Sequence, residues 1–244
     1  MIDIHSHILP GVDDGAKTLG ESFDMLNMAI DQGVTTQVLT PHIHIGRYNN
    51  TKLGLLKAFS EFQARVKDKG LSITLRLAAE VRIGAEIMPL ISNKQIPWLG
   101  QLNGKQVFLL EFPRIDVPHG SDNLVRWCIA QNVLPLIVHP ERNKTFLNKP
   151  EKLQWYIKKG CPIQITASSL SGKFGDDVKH MALDLMRKNQ VFAVASDCHN
   201  LKGRQPDLGK VYTELKDEFD ADYLTKVFVS NPQSLLKERI RVVA

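Results

Sequence analysis

The feature that most constrains this 244-residue chain is a regular alternation of short, apolar, β-rich runs with segments of helical periodicity. Seven stretches have the composition of strands, at 1–7, 34–40, 72–80, 106–112, 133–139, 162–167 and 191–197. Helical patterns fill the intervals, and several end in Gly or Asn as a C-cap should; they lie at 20–33, 51–70, 121–132, 149–160 and 176–189. Apolar strands separated by helices predict a parallel sheet that is covered by helices.

This order of elements favours a closed or distorted barrel over an open doubly wound sheet. No glycine-rich dinucleotide loop follows the first strand, as an open nucleotide-binding sheet would require. The segment from Asp220 to Glu238 has the pattern of closing helices. Barrels of this type commonly use about 250 residues as a single unit. We therefore predict an α/β fold in one domain over residues 1–244.

Composition narrows the class of protein further. The chain is 43% hydrophobic and 23% charged, which predicts a folded globular protein rather than a disordered one. Its net charge of +5 comes from scattered basic residues, so it favours anionic partners only weakly. No basic stripe with interleaved aromatic residues is present, and we predict no nucleic-acid partner. No signal-like or membrane-spanning apolar run occurs, which predicts a cytoplasmic protein without membrane insertion.

The cysteine pattern gives no support for disulfides or a structural zinc site. Cys128, Cys161 and Cys198 are odd in number, and none belongs to a CxxC pair. A reducing compartment is consistent with this pattern.

Nearly every predicted strand ends in a residue that can bind a metal ion. The motifs are DIHSH, TPHIH, AAE, LLE, VH and SDCH, and they contribute His5, His7, His42, Glu80, Glu111, His139, Asp197 and His199. The C-terminal ends of parallel barrel strands meet at one rim, where such barrels keep their active sites. Taken singly, Glu80 and Asp197 suit helix caps and His139 suits a turn. Together, six such ends on seven strands predict a metal centre.

The residue types indicate the class of metal. Imidazole and carboxylate without thiolate suit manganese, iron, zinc or magnesium in a catalytic site. His5 and His7 alternate with apolar residues, so both imidazoles face the same way. Gly11 and Gly15 would let the next loop fold back and present Asp14. With Asp14 the set has more ligands than one ion can use, which predicts two or three divalent ions.

These motifs resemble the PHP superfamily (polymerase and histidinol phosphatase) of metal-dependent phosphoesterases. DIHSHILPGVDDG, TPHIHIGRY, AAE, LLEFP, VHPERN and SDCHN occur in that order and span most of the chain. They are most similar to the CpsB/YwqE type, the bacterial protein-tyrosine phosphatases of capsule and exopolysaccharide loci. The resemblance implies a distorted (β/α)7 TIM-like barrel, the PHP fold, with a manganese or iron centre at its C-terminal rim.

The resemblance also implies roles for individual residues. All the family's metal-ligand positions are matched, at His5, His7, Asp14, His42, Glu80, Glu111, His139, Asp197 and His199. The family's phosphate-binding arginines correspond to Arg142 and Arg204, and His44 and Arg47 sit where they would reach substrate. The implied partner is an autophosphorylated bacterial tyrosine kinase that controls polysaccharide export. The sequence leaves the oligomeric state open.

Two other functions remain open at this point. A phosphatase of a small ester such as histidinol phosphate would use the same ligands with different substrate loops. The stretch from Cys198 to Arg204 also satisfies the C-x5-R spacing of cysteine-dependent phosphatases. Against that chemistry, the adjacent Asp197 would disfavour a thiolate, and Gly203 is the one glycine available for a phosphate loop. We therefore expect Cys198 to be a small filler between two ligands.

Overall fold

A computed structural model describes residues 1–237 of the chain. The strands are β1 (Ile2–Asp3), β2 (Thr36–Leu39), β3 (His42–Ile43), β4 (Thr74–Leu77), β5 (Glu80–Arg82), β6 (Gly100–Leu102), β7 (Lys105–Glu111), β8 (Val133–Val138), β9 (Ile163–Thr166) and β10 (Ala193–Ala195). The helices are α1 (Leu19–Asp31), α2 (Lys52–Asp68), α3 (Ile87–Ser92), α4 (Ser121–Ala130), α5 (Lys144–Asn148), α6 (Pro150–Lys158), α7 (Ala167–Leu170), α8 (Asp176–Arg187), α9 (Leu208–Glu214), α10 (Ala221–Thr225) and α11 (Asn231–Lys237). Short 3₁₀ turns occupy Pro140–Arg142 and Leu215–Asp217, and a π-helical turn occupies Lys226–Ser230.

The strands form the distorted barrel that the sequence predicts. One sheet pairs β1, β2 and β4, and a second runs in the order β10, β9, β8, β7, β5, β3. The two sheets join where Ser6 forms a parallel bridge with Cys198, supported by a hydrogen bond from His7 N to Cys198 O of 2.9 Å. The barrel thus has seven strand positions, which we call staves, and two of them consist of two consecutive strands. The staves are β1, β2 with β3, β4 with β5, β7, β8, β9 and β10. All pairings between the staves are parallel.

Two strands predicted as single runs are each broken in two, which corrects the sequence analysis. The run 34–40 ends at Leu39, and pairing resumes at His42 because Pro41 has no N–H to donate. The run 72–80 is likewise interrupted at Ala78 and Ala79. His42 and Glu80 therefore begin the inner segments β3 and β5 instead of ending a strand, and they are register partners.

The first predicted strand is shorter than expected, and one strand was not predicted. Only Ile2 and Asp3 of the run 1–7 pair continuously, and the chain then makes single bonds to both neighbours, such as Thr40 N to Ser6 O at 2.8 Å. The antiparallel strand β6, which the sequence analysis did not predict, forms a hairpin with β7. This hairpin lies off the barrel path.

Two apolar clusters hold the fold together. The larger cluster lies between the barrel and its helices, and includes Met25 and Leu26 from α1. The smaller cluster fills the barrel with side chains from its strands and with Leu235 and Leu236 of α11. The helices predicted around 220–238 thus contribute apolar side chains to the interior of the barrel. Glu238, the last residue of that prediction, lies outside the described residues. A Cβ on Gly100 would come 1.9 Å from Leu235 O, so this closure needs glycine there.

The two longest helices each begin at a threonine that serves as N-cap. Thr18 and Thr51 accept hydrogen bonds through their side chains from Glu21 N and Gly54 N, which caps α1 and α2. In residues 1–237, none of the helices combines the length and apolarity that crossing a membrane requires.

Candidate metal centre

The structure brings all nine predicted ligands together at the C-terminal rim of the barrel. Eight of them are buried or nearly so, and Asp14 is the most exposed, with 38% of its side chain accessible. Four groups of three or four ligand atoms lie within 4.8 Å of one another; they are His7–Asp14–His42–His199, His5–His7–Glu80, His5–His139–Asp197 and His42–Glu80–Glu111. These groups share members, so the residues form one continuous cluster.

Glu80 lies at the middle of this cluster. Its Oε2 is 3.1 Å from both His7 Nε2 and His42 Nδ1, and 3.3 Å from His5 Nε2. Its Oε1 is 2.8 Å from His139 Nε2. Burial by itself would raise the pKa of Glu80, but the surrounding imidazoles, His5 foremost, hold this pKa well below its usual value.

The polar atoms of the cluster fit divalent cations. Asp14 Oδ1, His42 Nδ1, Glu80 Oε2, Glu111 Oε2 and Asp197 Oδ1 are buried, and none has a hydrogen-bond partner in the described part of the chain. Buried polar atoms normally have a hydrogen-bond partner. Five unpaired atoms that face one small volume would destabilise the fold unless a cation binds them. The imidazole and carboxylate donors match the preferences of manganese, iron and zinc.

Asp197 connects the ligand cluster to the two arginines. Its Oδ1 lies 3.4 Å from His5 Nε2, while its Oδ2 accepts a hydrogen bond of 2.5 Å from Arg142 Nη2 and another from Arg204 Nη2. Burial would raise the pKa of this carboxyl, but Arg204 and Arg142 hold it well below its usual value. Arg204 Nε is buried without a partner among residues 1–237 and adds a free donor beside the cluster.

Two of the predicted ligands occupy the left-handed region of backbone conformation. His139 has φ of 36° and Asp197 has φ of 51°, which non-glycine residues adopt at an energetic cost. His139 also precedes Pro140, whose ring disfavours helical backbone at the preceding position. Burial, and next the Arg142 charge, lower the pKa of His139 to about 3, which keeps the imidazole neutral as a ligand must be.

The loop after β1 folds back as the glycines predict. Gly11 has φ of 73°, and a Cβ on Gly15 would come 1.9 Å from His7 O. The same contact includes a hydrogen bond of 2.9 Å from Ala16 N to His7 O. Asp14 Oδ1 consequently lies 3.3 Å from His42 Nε2 and 3.6 Å from His199 Nε2.

Sequence reasoning missed the residues that orient two of the imidazoles. Asp13 Oδ2 lies 2.7 Å from His7 Nδ1 and accepts a hydrogen bond from His42 N. Gln164 Oε1 lies 2.8 Å from His5 Nδ1. Gln164 is on β9, the strand to which the sequence assigned no ligand, and a polar residue within the apolar run PIQITA was the available signal.

A cavity of about 620 Å³ opens over the cluster. Arg142, Arg204, His44 and Arg47, to which the resemblance assigned phosphate or substrate contacts, line it. Other lining residues were not predicted: Tyr48 stacks on His42 with ring centroids 5.3 Å apart, Arg82 forms an ion pair with Glu111 at 2.9 Å, and Phe174 lies under the Arg142 guanidinium at 5.0 Å. The wall of the cavity therefore combines positive charge with aromatic surface.

Cys198 lies beside this cavity and does not line it. Its side chain is fully buried between the two neighbouring ligands, and burial raises the pKa of its thiol well above the usual value. A buried, protonated thiol is a poor nucleophile, so the structure favours the predicted filler role over a cysteine-dependent phosphatase.

The family model described as capsular polysaccharide synthesis, CpsB/CapC, matches residues 1–237. Among curated proteins, the tyrosine-protein phosphatase YwqE of Bacillus subtilis is 34% identical over 98% of this chain and 92% of its own length. The putative tyrosine-protein phosphatase CapC of Staphylococcus aureus is 32% identical over 98% of this chain and 93% of its own length.

A comparison with solved structures finds the same type of protein. A chain solved in work on YwqE of Bacillus subtilis and CpsB of Streptococcus pneumoniae, described as unique metal-dependent tyrosine phosphatases, superimposes with a TM-score of 0.89. It is 33% identical, and the match covers 98% of this chain and 96% of that one. A β-aspartyl dipeptidase of Fervidobacterium islandicum superimposes with a TM-score of 0.58 at 15% identity, which shows a shared fold alone.

Proposed function

We propose that this chain, which belongs to the CpsB/CapC family, is a metal-dependent protein-tyrosine phosphatase that hydrolyses phosphotyrosine by direct attack of water. The observation that carries the proposal is the shared carboxylate of Asp197, which faces the ligand cluster with one oxygen and two arginines with the other. A phosphate seated on these arginines therefore lies beside the ligand cluster. The names of the relatives, which are tyrosine phosphatases, support the same substrate class.

The cluster has enough ligands for two or three divalent ions, and we propose manganese as the first choice, with iron, zinc and magnesium as alternatives. The ligands would be His5, His7, Asp14, His42, Glu80, Glu111, His139, Asp197 and His199, which together form the four groups of convergent atoms. When bound, such ions supply Lewis-acid charge and an activated water as nucleophile.

The arginines would bind the phosphoryl oxygens. Each guanidinium carries five N–H donors, and Arg142 and Arg204 each give one of them to Asp197. The remaining donors border the cavity, where they can neutralise charge on the transferred phosphoryl group. Asp197 holds both side chains in place, so little ordering is needed when the phosphate binds.

The aromatic wall of the cavity would favour tyrosine as the phosphorylated residue. The ring of phosphotyrosine is joined to phosphorus through a single oxygen, and the Phe174 ring centroid lies 5.0 Å from the Arg142 guanidinium that would hold the phosphate. That arrangement places the substrate ring within reach of Phe174 for an aromatic contact. The leaving phenol has a pKa of about 10, so it needs less protonation than an alkoxide.

We further propose that the substrate is the phosphotyrosine region of a bacterial tyrosine kinase that controls capsular or exopolysaccharide synthesis. The support is the family's description as capsular polysaccharide synthesis. His44 and Arg47 line the mouth of the cavity, where they would contact the substrate outside the phosphate.

The deciding experiment is phosphate release from a phosphotyrosine peptide by the purified protein. We expect activity to disappear with a chelator, to return with added manganese, and to persist in Cys198→Ser and Cys198→Ala. Two cysteine variants are needed because a buried hydroxyl at this position has its own cost to stability. Chelator-resistant activity that both variants abolish would overturn the metal mechanism.

A panel of substrates tests the choice of substrate. Histidinol phosphate and single-stranded DNA would be compared with the peptide at equal concentration and metal. The proposal requires the highest kcat/KM on the peptide. A metal-dependent protein that acts on histidinol phosphate and not on the peptide would reassign the same site to small phosphate esters.

A further inference from the structure

A chain of three cavities leads away from the metal centre along one side of the rim. The catalytic cavity shares Ile115 with a cavity of about 330 Å³, which in turn shares Lys152 with a third of about 380 Å³. Trp155 lines the third cavity. We call the middle cavity, lined by Ile115, Lys144, Thr145, Asn148, Lys149 and Lys152, the lysine groove. The catalytic cavity and the lysine groove are therefore neighbours that share Ile115 as a lining residue.

The wall between the catalytic cavity and the lysine groove is a well-anchored loop. Asn143, the residue after Arg142, donates from Nδ2 to Pro113 O at 2.5 Å and to Asp116 O at 2.7 Å. Lys144 N donates to Arg114 O at 2.8 Å. The same short segment therefore carries the proposed phosphate-binding arginine, supports the wall and begins the groove. The position of the groove relative to Arg142 is consequently set by direct hydrogen bonds.

The lysine groove carries concentrated positive charge. Lys144, Lys149 and Lys152 are exposed, no acidic residue lines the groove, and none of the three lysines forms an ion pair within residues 1–237. Ile115 at the shared rim keeps 72% of its surface exposed, which is high for a large apolar side chain. This combination suits an extended acidic polypeptide whose backbone crosses Ile115.

We propose that the lysine groove binds acidic residues that flank the phosphotyrosine of a protein substrate. This inference rests on the proposed function, since the groove borders the cavity in which the phosphotyrosine would bind. Its occupant is polypeptide chain, because a segment joined to a bound phosphotyrosine must leave the pocket over its rim and Ile115 forms one side of that rim. Carboxylates on that segment would meet three lysines that have no other partner in the described residues.

The test compares kcat/KM for phosphotyrosine peptides of equal length at low ionic strength. One peptide carries three Glu before the phosphotyrosine, one carries three Glu after it, and one carries Gln at all these positions. We expect one acidic peptide to exceed the Gln peptide in kcat/KM by about 3- to 10-fold, because exposed ion pairs are individually weak. The preference should disappear near 1 M salt, where the Debye length is about 3 Å.

Matched variants separate the groove from net charge. Lys149→Glu/Lys152→Glu should abolish or reverse the preference, and Lys57→Glu/Lys226→Glu, which reverses two exposed lysines outside the groove, should keep it. Both proteins should hydrolyse p-nitrophenyl phosphate at the wild-type rate. Equal kcat/KM for all three peptides, or an equal loss in both variants, would overturn the proposal. Activity on the Gln peptide reports separately whether the proposed function is correct.

Discussion

Asp13 and His7 form a carboxylate–imidazole pair at the base of the metal centre, with Asp13 Oδ2 2.7 Å from His7 Nδ1. Burial would raise the pKa of Asp13, but His7 lowers it to about 2. Asp13 therefore stays ionised, holds the proton of His7 on Nδ1, and leaves Nε2 free to face Glu80 at 3.1 Å.

Asp13→Ala should weaken metal binding while leaving the fold intact. Loss of such a partner typically lowers metal affinity by about 10- to 100-fold. The manganese concentration for half-maximal activity should rise by that factor, and saturating metal should restore part of the rate. Asp24→Ala, on the exposed face of α1, is the matched control. Unchanged metal dependence in Asp13→Ala would show that His7 is oriented without it.

Gly15→Ala should lower the free energy of unfolding by about 1 to 3 kcal/mol. A Cβ there would approach His7 O to 1.9 Å, and the crowding atom is backbone that cannot move aside. Gly20→Ala is a useful contrast, since its nearest contact is 3.8 Å away and it lies in α1. The free energy of unfolding of Gly20→Ala should be about 0.5 to 1 kcal/mol higher than that of the wild type. Urea unfolding measures both, and similar midpoints for the two variants would contradict the predicted close approach.

Arg142→Lys should lower kcat/KM on a phosphotyrosine peptide by about 100-fold or more. Lysine keeps the charge beside Asp197, but it loses the planar fork that binds two oxygens together. The thermal midpoint should change little because the buried charge remains paired. Arg187→Lys, at an exposed ion pair with Glu218, should retain full activity. A fully active Arg142→Lys would remove this arginine from the proposed phosphate site.

Phe174→Leu should weaken aromatic ligands selectively. The substitution keeps apolar volume and removes the ring, so phenylphosphonate should inhibit about 2- to 10-fold less well, as expected for one aromatic contact. Methylphosphonate, which has no ring, should inhibit the variant and the wild type equally. A matching loss for both inhibitors would mean that Phe174 acts through Arg142, with which it is in contact.

The buried thiols predict a loss of stability at alkaline pH. Burial raises the pKa of Cys128 and of Cys161 to about 12, whereas a thiol in the unfolded chain ionises near 8.5 to 9. Between these values the unfolded state has lost a proton that the folded state keeps. The free energy of unfolding therefore falls as pH rises, by about 1.4 kcal/mol per pH unit for each thiol.

Urea unfolding between pH 8 and 11 tests this dependence. In Cys128→Ala the decline should be shallower than in the wild type by about 1.4 kcal/mol per pH unit. Identical slopes would show that Cys128 ionises in the folded state as readily as in the unfolded chain.

The order of the strands and helices and the residue types at the rim can be read from local patterns in the sequence. The alternation of apolar runs and helical patterns is local, and it predicted the staves that the structure contains. The histidines and carboxylates follow these runs closely, so their convergence could be expected from the geometry of parallel barrels. Gly11 and Gly15 marked the returning loop for equally local reasons.

Which side-chain atoms meet at the rim depends on contacts between segments that are distant in the chain. Asp13 and Asp14 are adjacent acidic residues, and the sequence does not distinguish the one that joins the ligand cluster from the one that orients His7. The path of their loop against His42 makes this distinction. Gln164 reaches His5 across 159 positions of the chain, through the register of β9 against its neighbours. The break at Ala78–Ala79 likewise has no local signal in the sequence, whereas the break at Pro41 follows from the missing N–H of proline. Periodicity reports which face of an element is buried, whereas register and loop path arise from contacts between distant segments, which no local pattern encodes.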